Sequence, residues 1–543
     1  MRGLMMDRPL NLISILEHAA LYHPDQQVVS RLLDGSIHRY GYADALARVK
    51  RLANALCEMG VRPGDRVATL AWSTYRHFEL YYAVSGIGAV LHTINPRLHP
   101  DQVAWVVDHA EDAVLFYDLG FADLVQDLAG RGASLRTLVA MDTLEACEGA
   151  AAPGSIVYEE LIRLNSPDFE WPEIDEREAA GLCYTSGTTG NPKGVLYSHR
   201  STVLHAMACA MPDAFDLSAR DVALPCAQMY HANAWGLPYT APMVGARLVL
   251  PGRRLDGEAL CELILSEGVT FLLGVPTIWV GLLEHVETTA AEITSVRTIC
   301  IGGSAPSAAM VERIETRIGA RARQIWGMTE TSPLGVANTP LPGQVSAPEE
   351  AQAARKLKAG RALWGVEMRL IDDQSGDILP HDGESAGRLQ VRGPWVAGAY
   401  FRNDGAQAFT DDGWFETGDI GAIDPDGFLR LTDRAKDVIK SGGEWISTLD
   451  LENAACAHPA VAMAAAIGMP HPKWDERPLL LVTLRSGARA EPEEIRAFVA
   501  GRVARWWAPD EVRIVAELPI GPTGKVLKRL LRDQLAERAA PEG

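Results

Sequence analysis

Tyr184-Thr185-Ser186-Gly187-Thr188-Thr189-Gly190-Asn191-Pro192-Lys193-Gly194 follows the apolar run 179–184 in this chain of 543 residues. The apolar run predicts a strand, and the residues after it predict a loop built to meet an anion. Gly187, Gly190 and Gly194 let the backbone approach a ligand closely, while Ser186, Thr188 and Thr189 offer hydroxyl donors. Lys193 supplies a point charge suited to phosphate. The loop is not a Walker A motif, because Gly190 is followed by Asn-Pro-Lys-Gly instead of Lys and Ser or Thr. Taken by itself it reads equally well as an anion-binding loop or as an exposed connection rich in turn residues.

Upstream of the loop, apolar runs at 66–71, 89–94, 113–117 and 137–141 predict strands. Helical stretches at 75–85 and 121–128 lie between them, and Asn95-Pro96 marks a turn. Downstream, 269–273 and 298–301 repeat the pattern of buried strands. Strands spaced by helices imply parallel sheets covered on both faces. From about residue 366 the texture changes to short alternating strands at 367–371 and 387–391, with turns at Asp382-Gly383, Asp412-Gly413 and Asp426-Gly427. That part predicts a smaller antiparallel or barrel-like unit. A compact mixed tail closes the chain, and the stretches 349–355 and after 537 are expected to be the mobile pieces.

The length is too great for one core and calls for at least two domains. Hydrophobic residues at 47 % and charged residues at 22 % describe an ordinary globular chain. Lys and Arg number 51 against 70 Asp and Glu, a net charge of −19. Such a field argues against non-specific nucleic-acid binding or docking on anionic lipid. It also means that a polyphosphate must be captured by local donors. The cysteines are scattered singly with no C-x-x-C pair, so they predict neither a zinc knuckle nor a disulfide framework. The first residues carry Arg2, Asp7 and Arg8 and no apolar core of a signal peptide. No uncharged apolar run is long enough to span a bilayer. The expectation is a cytoplasmic protein without membrane insertion.

Further motifs follow the loop in order. They are Trp326-Gly327-Met328-Thr329-Glu330, then Glu416-Thr417-Gly418-Asp419, then Arg434-Ala435-Lys436-Asp437 with Lys440-Ser441-Gly442-Gly443-Glu444-Trp445, and finally Pro519 with Gly524-Lys525. Together with the loop, they resemble the ordered motifs of the adenylate-forming (ANL) superfamily: acyl-CoA synthetases, luciferases and peptide-synthetase adenylation domains. The resemblance covers almost the whole chain. It implies an α/β fold with a large N-terminal domain of layered parallel sheets plus a β-rich subdomain, residues 1–435. A small α+β C-terminal domain, 436–543, would follow on a hinge at Lys436. It also implies a homodimer.

The reaction implied is attack of a carboxylate on the α-phosphate of ATP, giving an acyl-adenylate and pyrophosphate, followed by displacement of AMP by a thiol. Carboxylate and triphosphate repel, so such a site needs cations and fixed donors. By resemblance, Thr185 and Glu330 hold Mg²⁺, for which a hydroxyl and a carboxylate are suitable hard ligands. The loop residues Ser186, Gly187, Thr188, Thr189, Gly190 and Lys193 handle phosphate. Trp326 stacks on adenine where many relatives carry Tyr, with Gly327, Met328 and Thr329 beside it. Gly302, Gly303 and Ser304 line the other side of the nucleotide. Asp419 accepts the ribose hydroxyls, Arg434 assists, and Lys525 bridges carboxylate and α-phosphate. After adenylation the C-terminal domain turns about Lys436, replacing Lys525 with the loop of Lys440, Gly442, Gly443, Glu444 and Trp445, which forms a tunnel for pantetheine. The pair that usually follows the proline, a basic residue and Thr, is here Ile520-Gly521, which leaves the anchoring of the lysine loop open.

His199, His205 and His231 lack metal-ligand spacing and read as structural or pocket-lining. The strings 231–236 and 440–447 are similar to those of medium- and long-chain fatty acyl-CoA synthetases and of 3-(methylthio)propanoyl-CoA ligases. They imply an acid pocket formed by His231, Trp235, Gly303 and Gly327, with His231 also among the catalytic residues. Trp235 reads either as a wall of that pocket or as a core aromatic. The chain ends soon after Lys525, which favours coenzyme A over a tethered carrier as acceptor. Three readings of the activity stand: a ligase for 3-(methylthio)propanoate or a short- or medium-chain acid, a long-chain acyl-CoA synthetase, or a stand-alone enzyme loading a carrier protein. A methylene is worth only about 0.8 kcal/mol of burial, so pocket depth decides among the acids.

Overall fold

The computed structural model describes residues 1–543 except 2, 132–133, 186–190, 435–436, 438, 442–443, 486, 522–525 and 540–543. Among the described residues the strands form four sheets. One sheet has seven strands in the order Ile156–Val157, Thr137–Ala140, Val114–Tyr117, Arg66–Leu70, Val90–Thr93, Ala179–Thr185, Lys193–Ser198. All its pairs are parallel except the last, where Thr185 stands opposite Lys193 across an antiparallel hairpin. A nine-stranded sheet carries the parallel strands Arg321–Gly327, Thr298–Ile301, Phe271–Gly274, Val222–Pro225 and Arg247–Leu250 at its centre, with antiparallel strands towards its edges.

The helix Tyr75–Gly86 lies between these two sheets, packing on Val90–Thr93 and Ala179–Thr185 from one and on Gln27–Arg31 from the other. All twelve of its residues are buried, Arg76, His77 and Glu79 included. Burial of charge demands pairing, and here it is met by a network. Arg48 Nε donates to Glu79 Oε1 at 2.6 Å and its Nη2 to Glu159 at 3.0 Å. Tyr158 donates to Glu79 Oε2 at 2.6 Å, and Arg76 Nε to Glu159 at 2.7 Å. Burial pushes the Glu79 carboxyl up, and the Arg48 guanidinium opposes that shift. Arg48→Met is therefore expected to destabilise the large domain by about 3–5 kcal/mol, because a buried carboxylate loses its partner. Arg48→Met with Glu79→Leu is expected to recover most of that loss. Urea unfolding of the two variants checks both outcomes.

A four-stranded antiparallel sheet, Glu367–Ile371, Gly387–Arg392, Phe415–Ile423 and Leu429–Arg434, forms the predicted β-rich unit. Its turns use the anticipated glycines: Gly413 and Gly427 have φ of 82° and 83°, where only glycine is unstrained. A separate sheet of five strands begins at Ile439–Ser441 and is packed by the helices Thr448–Cys456, Pro492–Ala500 and Lys528–Ala539. The fold class matches the expectation. Stretch 349–355 does not: it forms the helix Glu349–Lys356, tied down by Asn338 Nδ2 to the Arg355 carbonyl at 2.8 Å and by Lys356 to Glu315 at 2.7 Å. Glu349 and Glu350 at its start and Arg355 and Lys356 at its end complement the helix dipole. No helix of the described residues is long and apolar enough to cross a membrane.

Candidate active site

The candidate residues gather at the carboxyl ends of strands in both large sheets, where ligands of open parallel sheets are met. Thr185 ends Ala179–Thr185, Gly302 and Gly303 follow Thr298–Ile301, Trp326 and Gly327 end Arg321–Gly327, and Asn95 follows Val90–Thr93. At this junction Cys183, Tyr197, Trp326, Val336, Leu389, Val391 and Tyr400 share one core cluster drawn from three sheets.

Glu330 sits in the turn Thr329–Thr331, which packs against Ala179–Thr185 and is fixed by Tyr197 donating to the Thr329 carbonyl at 2.7 Å. The Glu330 carboxylate is only 5 % exposed and accepts a hydrogen bond from Tyr400 at 2.6 Å. Lys193 Nζ lies over the ring of that same Tyr400, 4.9 Å from its centre. Burial and the Glu330 charge push the Tyr400 hydroxyl up, so it stays a donor. One tyrosine thus sets the glutamate of one motif beside the lysine of another. Nothing in the sequence marks Tyr400, which stands seventy residues beyond Glu330 and belongs to neither motif.

Trp326 is buried, with its ring edge against Gly335, and its Nε1 donates to Asp419 Oδ2 at 2.8 Å. The Asp419 backbone N–H donates to Thr417 Oγ1 at 3.1 Å, and Gly418 supplies a φ of 73°. The tryptophan therefore orients the carboxylate, a duty the sequence reading did not assign to it. Gly327 is required because a Cβ there would collide with the Pro333 carbonyl, to which Met328 N also donates at 3.1 Å. Gly303 has a φ of 84°, and Ser304 beside it is exposed.

His231 opens an unusual turn. Ala232, Asn233, Ala234, Trp235 and Gly236 all have positive φ, from 36° to 78°. For residues other than glycine such a backbone costs roughly 1–2 kcal/mol each, so the surroundings must hold it in place. Gly236 is pressed on the His205 ring, where a Cβ would stand 2.8 Å from Cε1. His205 is buried, its Nε2 accepts from Leu334 N at 3.0 Å, and burial pushes its pKa down to about 3. The turn lays the Trp235 indole against Gly302, where a Cβ would meet Cζ2 at 2.7 Å. Trp235 and the nucleotide-side glycine are thus brought together. His231 Nε2 lies 3.4 Å from Asn95 Nδ2, and Asn95 is a neighbour that the sequence reading missed. His199 is buried, accepting from Leu12 N at 3.2 Å, and takes no part in the site.

Ser186, Gly187, Thr188, Thr189, Gly190, Lys436, Gly442, Gly443 and Lys525 lie outside the described residues, as do the side chains of Arg434, Lys440, Glu444 and Trp445. The ends of the lysine loop are described: Ile520 pairs with Val526, and Leu527 N donates to the Pro519 carbonyl at 2.8 Å.

Residues 16–401 match the AMP-binding enzyme family, and residues 450–525 match the AMP-binding enzyme C-terminal domain. The chain is 47 % identical to a 3-methylmercaptopropionyl-CoA ligase of Ruegeria lacuscaerulensis over 99 % of each chain. It is 48 % identical to a medium-chain-fatty-acid–CoA ligase of Ectopseudomonas oleovorans, covering 99 % of this chain and 98 % of that one. ATP-bound MatB from Rhodopseudomonas palustris shares the fold with a TM-score of 0.82 at 25 % identity, over 98 % of this chain and 100 % of that one. The chain belongs to the AMP-binding enzyme family, and within it to the AMP-forming acid:CoA ligases. Its substrates are a small-molecule carboxylic acid, ATP and CoA.

Proposed function

We propose that this ligase activates 3-(methylthio)propanoate or a short- to medium-chain fatty acid. The observation that carries the reading is the Trp235 indole laid against Gly302 by a strained turn that starts from His231, the neighbour of Asn95. In this reading the indole closes the far end of the acid site and turns longer chains away. The two ligases named above, which act on such acids, lend support.

In this reading the hairpin from Thr185 to Lys193 takes the triphosphate. Lys193 supplies charge, and Thr185 with Glu330 holds Mg²⁺. The residues suit that ion: Mg²⁺ binds through one or two protein oxygens plus phosphate oxygens and water, and Glu330 is a buried carboxylate at the hairpin's base. When bound, the ion would neutralise charge on the phosphates. Asp419, steered by Trp326, takes the ribose hydroxyls, and Gly302, Gly303, Gly327 and Met328 line the nucleotide. Lys525 brings the attacking carboxylate and the α-phosphate together. Residues 436–543 then turn about Lys436 so that the loop at Gly443 admits the CoA thiol. The enzyme works in the cytoplasm as a homodimer, a state that light scattering on the purified protein tests.

An acid profile tests the substrate, comparing kcat/KM for 3-(methylthio)propanoate and for straight chains from short to long. The thioether acid or a short to medium chain is expected to rank first; a long-chain optimum, or transfer to a carrier protein in preference to CoA, overturns the reading. Trp235→Ala is expected to move the optimum to longer chains, by about fourfold in kcat/KM for each methylene newly buried, at about 0.8 kcal/mol apiece. An unchanged ranking returns Trp235 to the core.

A further inference from the structure

We propose that His109 is a positioning residue for ATP binding, a bolt that fixes the stem of the phosphate-handling hairpin against residues 401–405. The proposal rests on the reading of that hairpin given above.

His109 stands in the last turn of the helix Pro100–Ala110, stacked on Trp105 with ring centres 4.5 Å apart and planes 13° from parallel. Both of its ring nitrogens are engaged. Nε2 lies 3.1 Å from Asp404 Oδ2, and Nδ1 lies 2.7 Å from the Tyr184 hydroxyl. A carboxylate only accepts, so Nε2 carries the proton and Nδ1 accepts from Tyr184. Burial lowers the His109 pKa against the pull of Asp404, which favours this neutral form.

The two partners occupy telling positions. Tyr184 directly precedes Thr185, where the hairpin's first strand ends. Asp404 directly precedes Gly405, where any Cβ would strike the Lys193 ammonium. The same segment crosses the hairpin's second strand at Phe401, whose Cβ would stand 3.0 Å from a Cβ on Gly194. A second tie, Arg402 to Glu111 at 2.6 Å, joins the segment to the end of the same helix. The stem is therefore gripped on one side by the helix end and on the other by residues 401–405, and His109 is the side chain that touches both.

A stem fixed in advance aims Thr185 and Lys193 and lowers the ordering cost of binding. The benefit falls on ATP, since the stem carries Thr185 and Lys193; the Tyr184 ring also lines a small cavity with Asn95 and His231, and Tyr184→Phe keeps that ring in place.

The test uses the full-length enzyme and measures KM for ATP and for the acid separately, with thermal stability alongside. His109→Ala and Tyr184→Phe are each expected to raise KM for ATP about tenfold and to leave KM for the acid within about twofold, and the double variant is expected to add little to either. Tyr184→Phe removes one oxygen and keeps the ring, so it answers the question even where His109→Ala folds poorly. The proposal is overturned if KM for ATP stays near the parent value in Tyr184→Phe, or if both KM values rise together. Lys193→Ala separates the two layers. A raised KM for ATP there with no effect of Tyr184→Phe sinks the bolt alone; no effect of Lys193→Ala sinks the hairpin's phosphate role.

Discussion

Lys525→Ala is expected to slow acid-dependent pyrophosphate release by about 10²–10³-fold while thioester formation from supplied acyl-adenylate and CoA stays within about threefold. The first half-reaction brings a carboxylate against a triphosphate in a protein whose net charge is −19. Only local cations can offset that repulsion, and in the proposed role Lys525 would act between attacking oxygen and α-phosphate, where charge is being redistributed. In the second half-reaction the phosphate is a leaving group and the nucleophile is a thiol, so the same lysine has nothing to bridge. Its loop has an anchor despite Ile520-Gly521. Ile520 pairs with Val526, Leu527 N donates to the Pro519 carbonyl at 2.8 Å, and Val526 packs on a core of Leu479, Leu481, Leu518 and Leu531. A backbone bridge and the packing of Val526 thus hold the ends of this stretch, while the Ile520 side chain is exposed. Lys525→Arg, which keeps the charge but changes its reach, is expected to recover part of the rate. Equal loss of both half-reactions in Lys525→Ala sinks the exchange of domain faces.

The layered sheets were legible because buried parallel strands leave continuous apolar runs: 113–117 became Val114–Tyr117, and 298–301 became Thr298–Ile301 without change. The motifs were legible because their order along the chain is carried by sequence alone. Contacts were not. The Tyr400 hydroxyl reaches Glu330 seventy residues away in sequence, and nothing local to either residue announces the partner. The same holds for Trp326 and Asp419, whose hydrogen bond depends on two sheets meeting. The turn at 232–236 escaped for another reason. Asn233 and Gly236 tolerate positive φ, but Ala232, Ala234 and Trp235 do not advertise it. Tertiary packing on His205 and Gly302 imposes that backbone, and packing is invisible in a string of residues. The helix Tyr75–Gly86 was found, yet its burial on all sides was hidden by Arg76, His77 and Glu79, which look like a solvent face until Arg48 and Glu159 are seen.

Glu330→Gln is expected to lower kcat for adenylation by about 10²–10³-fold and to move the Mg²⁺ dependence to higher concentration. The substitution isolates charge from geometry. Tyr400 donates to Glu330 Oε1 at 2.6 Å, and the Ala397 backbone N–H donates to the Glu330 carbonyl at 2.8 Å. A glutamine oxygen still accepts from Tyr400 and the main-chain bond is untouched, so the turn Thr329–Thr331 keeps its place. What disappears is one negative charge at the base of the hairpin that carries Lys193. If Glu330 serves as a ligand, the ion binds less tightly, and raising free Mg²⁺ restores part of the rate. If Glu330 only braces Tyr400, glutamine serves equally well, and neither the rate nor the Mg²⁺ midpoint moves. Tyr400→Phe supplies the complement. It removes the hydroxyl that steers the carboxylate while leaving the ring beneath Lys193, so a smaller loss of about tenfold or less is expected, with the Mg²⁺ midpoint shifted in the same direction. A variant pair in which Tyr400→Phe costs more than Glu330→Gln reverses the order of cause and makes the Tyr400 hydroxyl, not the Glu330 charge, the group on which the rate depends.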